Sequence, residues 1–164
     1  MRDKCILPFL ITERLEFFQL TQADLPELEI LLGDTEIMYA WEHGFTKIES
    51  QAWLNENLRR YSSDGYSYWA VRKKNDGSLI GVMGILKEVA EGKQYIGIGY
   101  ILNKKYWGQG YAGEGTEALC QYAFRKLQLQ TLTAQVRTNN FASQHIAEGL
   151  GMKACLLYTS DAAD

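Results

Sequence analysis

Long apolar runs are what this chain of 164 residues most plainly lacks. Nothing in it approaches the roughly 18 consecutive apolar residues of a membrane-spanning helix, so no membrane association is expected. The short apolar stretch Cys5 to Ile11 is interrupted by Pro8 and is not followed by a small-residue cleavage site, which argues against a signal peptide. Cysteine is scarce: three residues, an odd number without metal-type pairing. That excludes a disulfide framework or a Cys/His metal site and suits the reducing cytoplasm. An excess of positive charge is also missing, since 17 Lys and Arg face 20 Asp and Glu for a net charge of −3. The chain therefore has no electrostatic footprint for nucleic acid. Internal repeats and low-complexity linkers are absent too. What is present is 46% hydrophobic and 23% charged residues, the balance of one folded domain.

The last ten residues, Cys155 to Asp164, do not read like the rest. They look like the translation of a transposase adapter from a sequencing library, so the domain is taken as residues 1–154 and residues 155–164 as a non-native tail. The alternative is a natural final strand, Leu156 to Thr159, with a frayed end. Without Asp161 and Asp164 the charge moves from −3 to −1.

Along the chain, Glu16 to Leu20 reads as a strand. Thr21 with Asp24 and Thr46 with Glu49 are capping-box pairs, each opening a helix. The first helix carries Leu25, Leu28, Leu31 and Leu32 and stops at Gly33; the second carries Leu54, Leu58 and Tyr61 and ends at Ser62 to Gly65. The periodicity then changes. Tyr66 to Arg72 and Leu79 to Leu86 are strand-like and joined by Asn75-Asp76-Gly77, a hairpin signal. A turn at Glu91 to Lys93 leads to a third strand, Tyr95 to Leu102. A helix from about Gly113 to Leu127 follows, then a strand, Thr131 to Arg137, a helix from Asn140 to Gly151, and a strand beginning at Met152. This order predicts an α+β fold with a mixed, mostly antiparallel sheet flanked by helices.

The chemical signal lies in Tyr106-Trp107-Gly108-Gln109-Gly110-Tyr111-Ala112-Gly113-Glu114-Gly115, between a strand and a helix. Glycines let backbone approach a ligand closely, and the helix that follows supplies unpaired N–H groups and the positive end of its dipole. Such a turn suits a pyrophosphate without any basic side chain. Gly108-x-Gly110-x-x-Gly113 also spells a dinucleotide fingerprint. That motif belongs in a βαβ unit with an acidic residue about 20 positions later, and here neither requirement is met.

Together with Thr12-Glu13-Arg14-Leu15, Trp41-Glu42, Tyr68 to Val71, Leu79-Ile80-Gly81, Gly99 to Leu102, Asn140 to Ser143 and Glu148 to Met152, this turn resembles the RimJ/RimL-type branch of the GNAT acetyltransferases. The resemblance spans Thr12 to Met152. It implies the GNAT fold, with two further strands after the helix ending near Gly151, strands that are missing if Cys155 onward is a tail. It implies acetyl-CoA as cosubstrate, with pyrophosphate on the amides of Gly108 to Ala112 and with Trp107, Gly108, Gln109, Gly110, Tyr111 and Ala112 forming the turn. It implies pantetheine near Ile101 and Leu102, and Asn140 and Ser143 toward the thiol end. Asn140 also reads as a plain helix N-cap and Ser143 as an ordinary first-turn residue.

The implied reaction is direct attack of an amine on the thioester, with an amine acceptor as second substrate and no acyl-enzyme. Cys120, mid-helix beside Leu119 and Tyr122, reads as core. Where this branch often carries a glutamate as base, the chain has Gly97. Replacement candidates are Glu88, Glu42 and His43, the last with an ordinary pKa of about 6.5. Tyr39, Trp41 and Tyr100 are candidates for the acceptor pocket, whereas Tyr68 and Trp69 read as packing. The missing carboxylate also motivates an alternative, a non-catalytic acyl-CoA sensor. The expected assembly is a monomer or homodimer.

Overall fold

The computed structural model describes residues 7–134 and 140–152. Five strands form a meander in sequence order, every neighbouring pair antiparallel: β1 (Leu10–Ile11), β2 (Leu15–Phe18), β3 (Tyr68–Lys73), β4 (Leu79–Ala90) and β5 (Lys93–Leu102). The long β4–β5 hairpin runs in register from Gly81 opposite Leu102 to Ala90 opposite Lys93. The mixed character of the sheet rests on one parallel bridge, between Gly97 and Thr133. Among the described residues, the strand expected from Thr131 to Arg137 is reduced to that bridge, and residues 135–139 lie outside the described part. Strand β1 has no counterpart in the sequence reading, because two residues are too few to show a period.

Alternation divides the side chains of the sheet between two cores. On one face, Phe18, Tyr68, Ala70, Val82, Leu86 and Ile101 pack under α1 (Leu25–Leu32) and α2 (Lys47–Ser63), through Leu28, Leu31, Leu32 and Leu54. On the other, Leu15, Phe17, Trp69, Val71, Met83, Ile85 and Ile98 pack under α3 (Tyr111–Arg125), through Leu119 and Ala123, with Ile146 of α4 (Phe141–Gly149) at the margin. Both capping boxes form as expected. In the first, the box opens a single 3-10 turn that runs into α1, with Pro26 placed where its missing N–H is harmless. Buried Arg72 ties β3 to α1 through Asp24 at 2.9 Å and Glu27 at 2.8 Å.

Two boundaries move. Helix α3 starts at Tyr111, two residues earlier than expected, because Gly110 in a left-handed conformation serves as its N-cap. The last helix ends at Gly149, and Met152, where a strand was expected to begin, is the final described residue before residues 153–164. Among the described residues, no helix is long and apolar enough to cross a membrane.

Candidate functional site

The turn between β5 and α3 is built from backbone. Gly108 and Gly110 have φ of 74° and 84°, a region that side chains disfavour. No acceptor among the described residues receives the N–H groups of Gly108 to Gly113; the first bond of the helix is from Glu114 N–H to the Gly110 carbonyl at 3.0 Å. No side chain caps α3. A Cβ at Gly108 or Gly113 would meet nothing within 4 Å, so the donors open onto free space. A row of unpaired amides at the start of a 15-residue helix fits a diphosphate. The fourth glycine of the turn has another purpose. A Cβ at Gly115 would overlap the Met83 thioether and stand 3.3 Å from Phe17, so that glycine seats α3 on the sheet.

The turn is held from the N-terminal segment. Glu114, in the first turn of α3, accepts from Thr12 Oγ1 at 2.5 Å, the Arg14 N–H at 2.9 Å and Arg14 Nε at 2.7 Å. Arg14 Nη1 donates to the Gln109 carbonyl at 3.0 Å, and its guanidinium lies 4.1 Å over the Tyr111 ring. Burial pushes the Glu114 carboxyl up, but the bonds from Thr12 and Arg14 and the charge of Arg14 outweigh burial and hold it below the usual range. Arg14, whose side chain is 40% exposed, thus neutralises the one carboxylate at an anion site. Its signal in the sequence was the Thr12 to Leu15 motif, which gave it no role by itself.

Trp107 is half-exposed; its indole N–H donates to the Leu102 carbonyl at 3.0 Å and pins the turn to the end of β5. The Gln109 amide donates to the Lys105 carbonyl at 2.9 Å. Ile98 N–H and the Ile96 carbonyl bond Thr133, so the peptide groups of Ile96 and Ile98 face the outer edge of β5. By alternation those of Tyr100 face the same edge, whereas those of Ile101 face Val82 inside the sheet. Of the segment expected to meet pantetheine, Ile101 is committed to the sheet and the Leu102 carbonyl to Trp107.

On the face toward α1 and α2, β5 presents two glycines in alternate positions. A Cβ at Gly97 would stand 3.1 Å from Cδ and Oε1 of Glu88, and one at Gly99 would stand 3.1 Å from Tyr68 Oη. A carboxyl and a phenol from neighbouring strands thus occupy the space that side chains at 97 and 99 would fill. Burial pushes the Glu88 carboxyl up, opposed by the charge of Arg60, with a net rise. Tyr68, read in the sequence as packing, is buried with its ring against Trp53 at 5.3 Å between centroids.

On the opposite face, Tyr100 and Ser143 share a hydrogen bond of 2.8 Å, linking β5 to α4. Burial raises the Tyr100 phenol, the bond from Ser143 lowers it, and Tyr39 is close enough to add a small rise. Tyr100 and Ser143 are therefore brought together. Tyr39 and Trp41 lie on a 3-10 turn between α1 and α2 and are partly exposed. Asn140 accepts from the Ser143 N–H at 3.1 Å, the N-cap of α4. His43 is more than half exposed and bonds Glu49 at 3.0 Å, which raises its pKa, and Glu42 adopts a left-handed backbone with φ of 72°. Cys120 is partly buried against the α3 core, as expected. Among the described residues, no group of three His, Cys, Asp or Glu side chains is placed to hold a metal ion.

Residues 14–153 match the family model described as "Acetyltransferase (GNAT) domain". The chain is 30% identical over 144 residues to the uncharacterized protein YkkB of Bacillus subtilis, covering 87% of this chain and 84% of that protein. A crystal structure of an acetyltransferase from Agrobacterium tumefaciens superposes with a TM-score of 0.80 at 25% identity, covering 98% of this chain and 93% of the other. The ribosomal L7/L12 α-N-protein acetyltransferase RimL, solved with coenzyme A, superposes with a TM-score of 0.70 at 21% identity, covering 88% and 82%.

Proposed function

Since the chain belongs to the GNAT acetyltransferase family, we propose that it moves the acetyl group of acetyl-CoA onto a primary amine, either a protein N-terminal α-amine or a small-molecule amine, by direct attack in a ternary complex. The enzyme is an acetyltransferase and acetyl-CoA is its cosubstrate. The observation that carries the finer reading is the row of unpaired amides from Gly108 to Gly113 at the start of α3. These donors hold the diphosphate, Arg14 keeps Glu114 from repelling it, and the cosubstrate then extends along the outer edge of β5.

Tyr100 presents its peptide N–H on that edge, where it steadies the oxygen of the thioester as negative charge develops. Asn140 and Ser143 support the thiol end from the start of α4, Ser143 by fixing the Tyr100 phenol. The amine enters from the side of α1 and α2, past Tyr39 and Trp41. Alignment of amine and thioester supplies most of the rate, because the reaction needs no covalent enzyme intermediate.

Acetyl-CoA-dependent release of free thiol, measured across a panel of N-terminal peptides and small amines, is expected with at least one acceptor and to fall in G110V, whose side chain cannot adopt the local backbone. A G110V enzyme with unchanged KM for acetyl-CoA would overturn the assignment of the turn.

A further inference from the structure

We infer that Glu88 is the proton acceptor of the reaction, displaced one strand from position 97, with its carboxyl over Gly97 and the Tyr68 hydroxyl over Gly99 in the space that side chains there would fill. This deepens the acetyl-transfer reading and rests on it. Four observations meet here. Gly97 and Gly99 lie on the same face of β5 and leave bare backbone beside the edge that carries Tyr100. The Glu88 carboxyl fills the space above Gly97, and the Tyr68 hydroxyl fills the space above Gly99. Glu88 has no salt-bridge partner among the described residues within 4 Å, whereas Glu56 of α2 pairs with Arg59 and Arg60. Burial also leaves it a stronger base than an exposed glutamate, since its proton is held more tightly.

The groups facing Glu88 are few. Arg60 reaches toward it from α2 and favours the carboxylate; Tyr68 stands beside it on β3; Tyr95 lies directly opposite on β5. Lys87 points to the other face of β4 and is paired with Asp64 at 3.6 Å.

The chemistry balances. The amine lone pair attacks the thioester carbonyl carbon, the C–N bond forms, and the C–S bond breaks with its electrons on sulfur. The proton lost by nitrogen passes through a water to the Glu88 carboxylate and from there to solvent, while the thiolate takes a proton from solvent and leaves as free coenzyme A. His43 is bonded to Glu49 at the start of α2, and the atoms nearest the missing Cβ positions of Gly97 and Gly99 come from Glu88, Tyr68 and Leu86 and not from Glu42 or His43.

The test is steady-state kinetics of the full chain with acetyl-CoA and an acceptor that the wild type uses. E88Q is expected to lower kcat by about 100-fold at pH 7, the scale of general-base catalysis, with KM for acetyl-CoA changed by no more than about 2-fold. E88D is expected to keep part of the rate. Placing G97E in an E88A background, where that space is emptied, puts a carboxylate back into it from the other strand, and about 10-fold recovery over E88A is expected. Titration with coenzyme A shows whether each variant still folds and binds. An E88Q enzyme with more than about a third of wild-type kcat, or an E88A/G97E enzyme no faster than E88A, overturns the assignment. A wild type that binds coenzyme A but acetylates no amine instead overturns the transferase reading, and Glu88 with it.

Discussion

Glu114 is a carboxylate where the site needs none, and one side chain makes it harmless. Arg14 bonds its Oε1 at 2.7 Å and reaches the Gln109 carbonyl at 3.0 Å, so the negative charge in the first turn of α3 is balanced before a diphosphate arrives. In R14A that charge faces the anion unbalanced, and KM for acetyl-CoA is expected to rise about 10-fold, or about 1.4 kcal/mol of binding. The 40% exposure of Arg14 limits the effect, because solvent screens the pair. Adding E114Q to R14A should recover part of the loss, and kcat should be nearly constant throughout. An R14A enzyme with wild-type KM would mean that Arg14 only braces the N-terminal segment. The pH sign follows from Glu114, whose pKa is lowered in the fold. The clamp contributes fully above the ordinary carboxylate pKa of about 4.3 and is lost as pH falls through the lower folded value.

At the scale of elements, α3 carries both a ligand surface and a packing surface, and its glycines tell them apart. Gly115 sits where a methyl group would collide with Met83, so G115A is expected to push α3 from the sheet and cost about 1–3 kcal/mol. Gly113 has nothing within 4 Å of its missing Cβ, so G113A should leave stability unchanged or raise it by up to about 1 kcal/mol, while weakening coenzyme A binding if the diphosphate lies there. Urea unfolding and coenzyme A titration of the two variants check this; G113A with both properties unaltered would move the ligand off that side of the helix. In the sequence all four glycines of the turn looked alike. Gly108 and Gly110 were legible because a strand, a glycine pair and a helix followed one another. The role of Gly115 was not, because it depends on Met83, 32 positions away and on another element. The same limit left Glu88 only one of three base candidates in the sequence, beside Glu42 and His43. Capping boxes, the meander and the anion turn are local patterns, whereas a carboxyl in a neighbour's side-chain space exists only after β4 and β5 are in register. It also explains Thr131 to Arg137, whose clean alternation predicts a strand but whose described part makes one bridge.

For the whole molecule, the proposed reading divides the work between the two faces of one sheet: the α3 and α4 face would meet the cosubstrate through backbone amides and the Tyr100–Ser143 pair, and the α1 and α2 face would bring the acceptor to Gly97, Gly99 and Glu88. A diphosphate gripped by main chain, as proposed, would draw β5, the turn, α3 and the Thr12 to Arg14 segment into one unit and should stabilise all of them together. A ligand that binds only the folded chain adds about 2.7 kcal/mol at 100 times its Kd. For a domain of this length that raises Tm by about 5–10 °C. Coenzyme A at that excess is expected to produce such a shift. NADP, which carries a diphosphate but lacks pantetheine to lie along β5, is expected to give far less, because the antiparallel meander offers no βαβ crevice for its second nucleotide. Differential scanning calorimetry with each ligand decides the matter. Equal shifts would mean that the turn recognises a diphosphate alone and that the edge of β5 contributes nothing to the choice of cosubstrate.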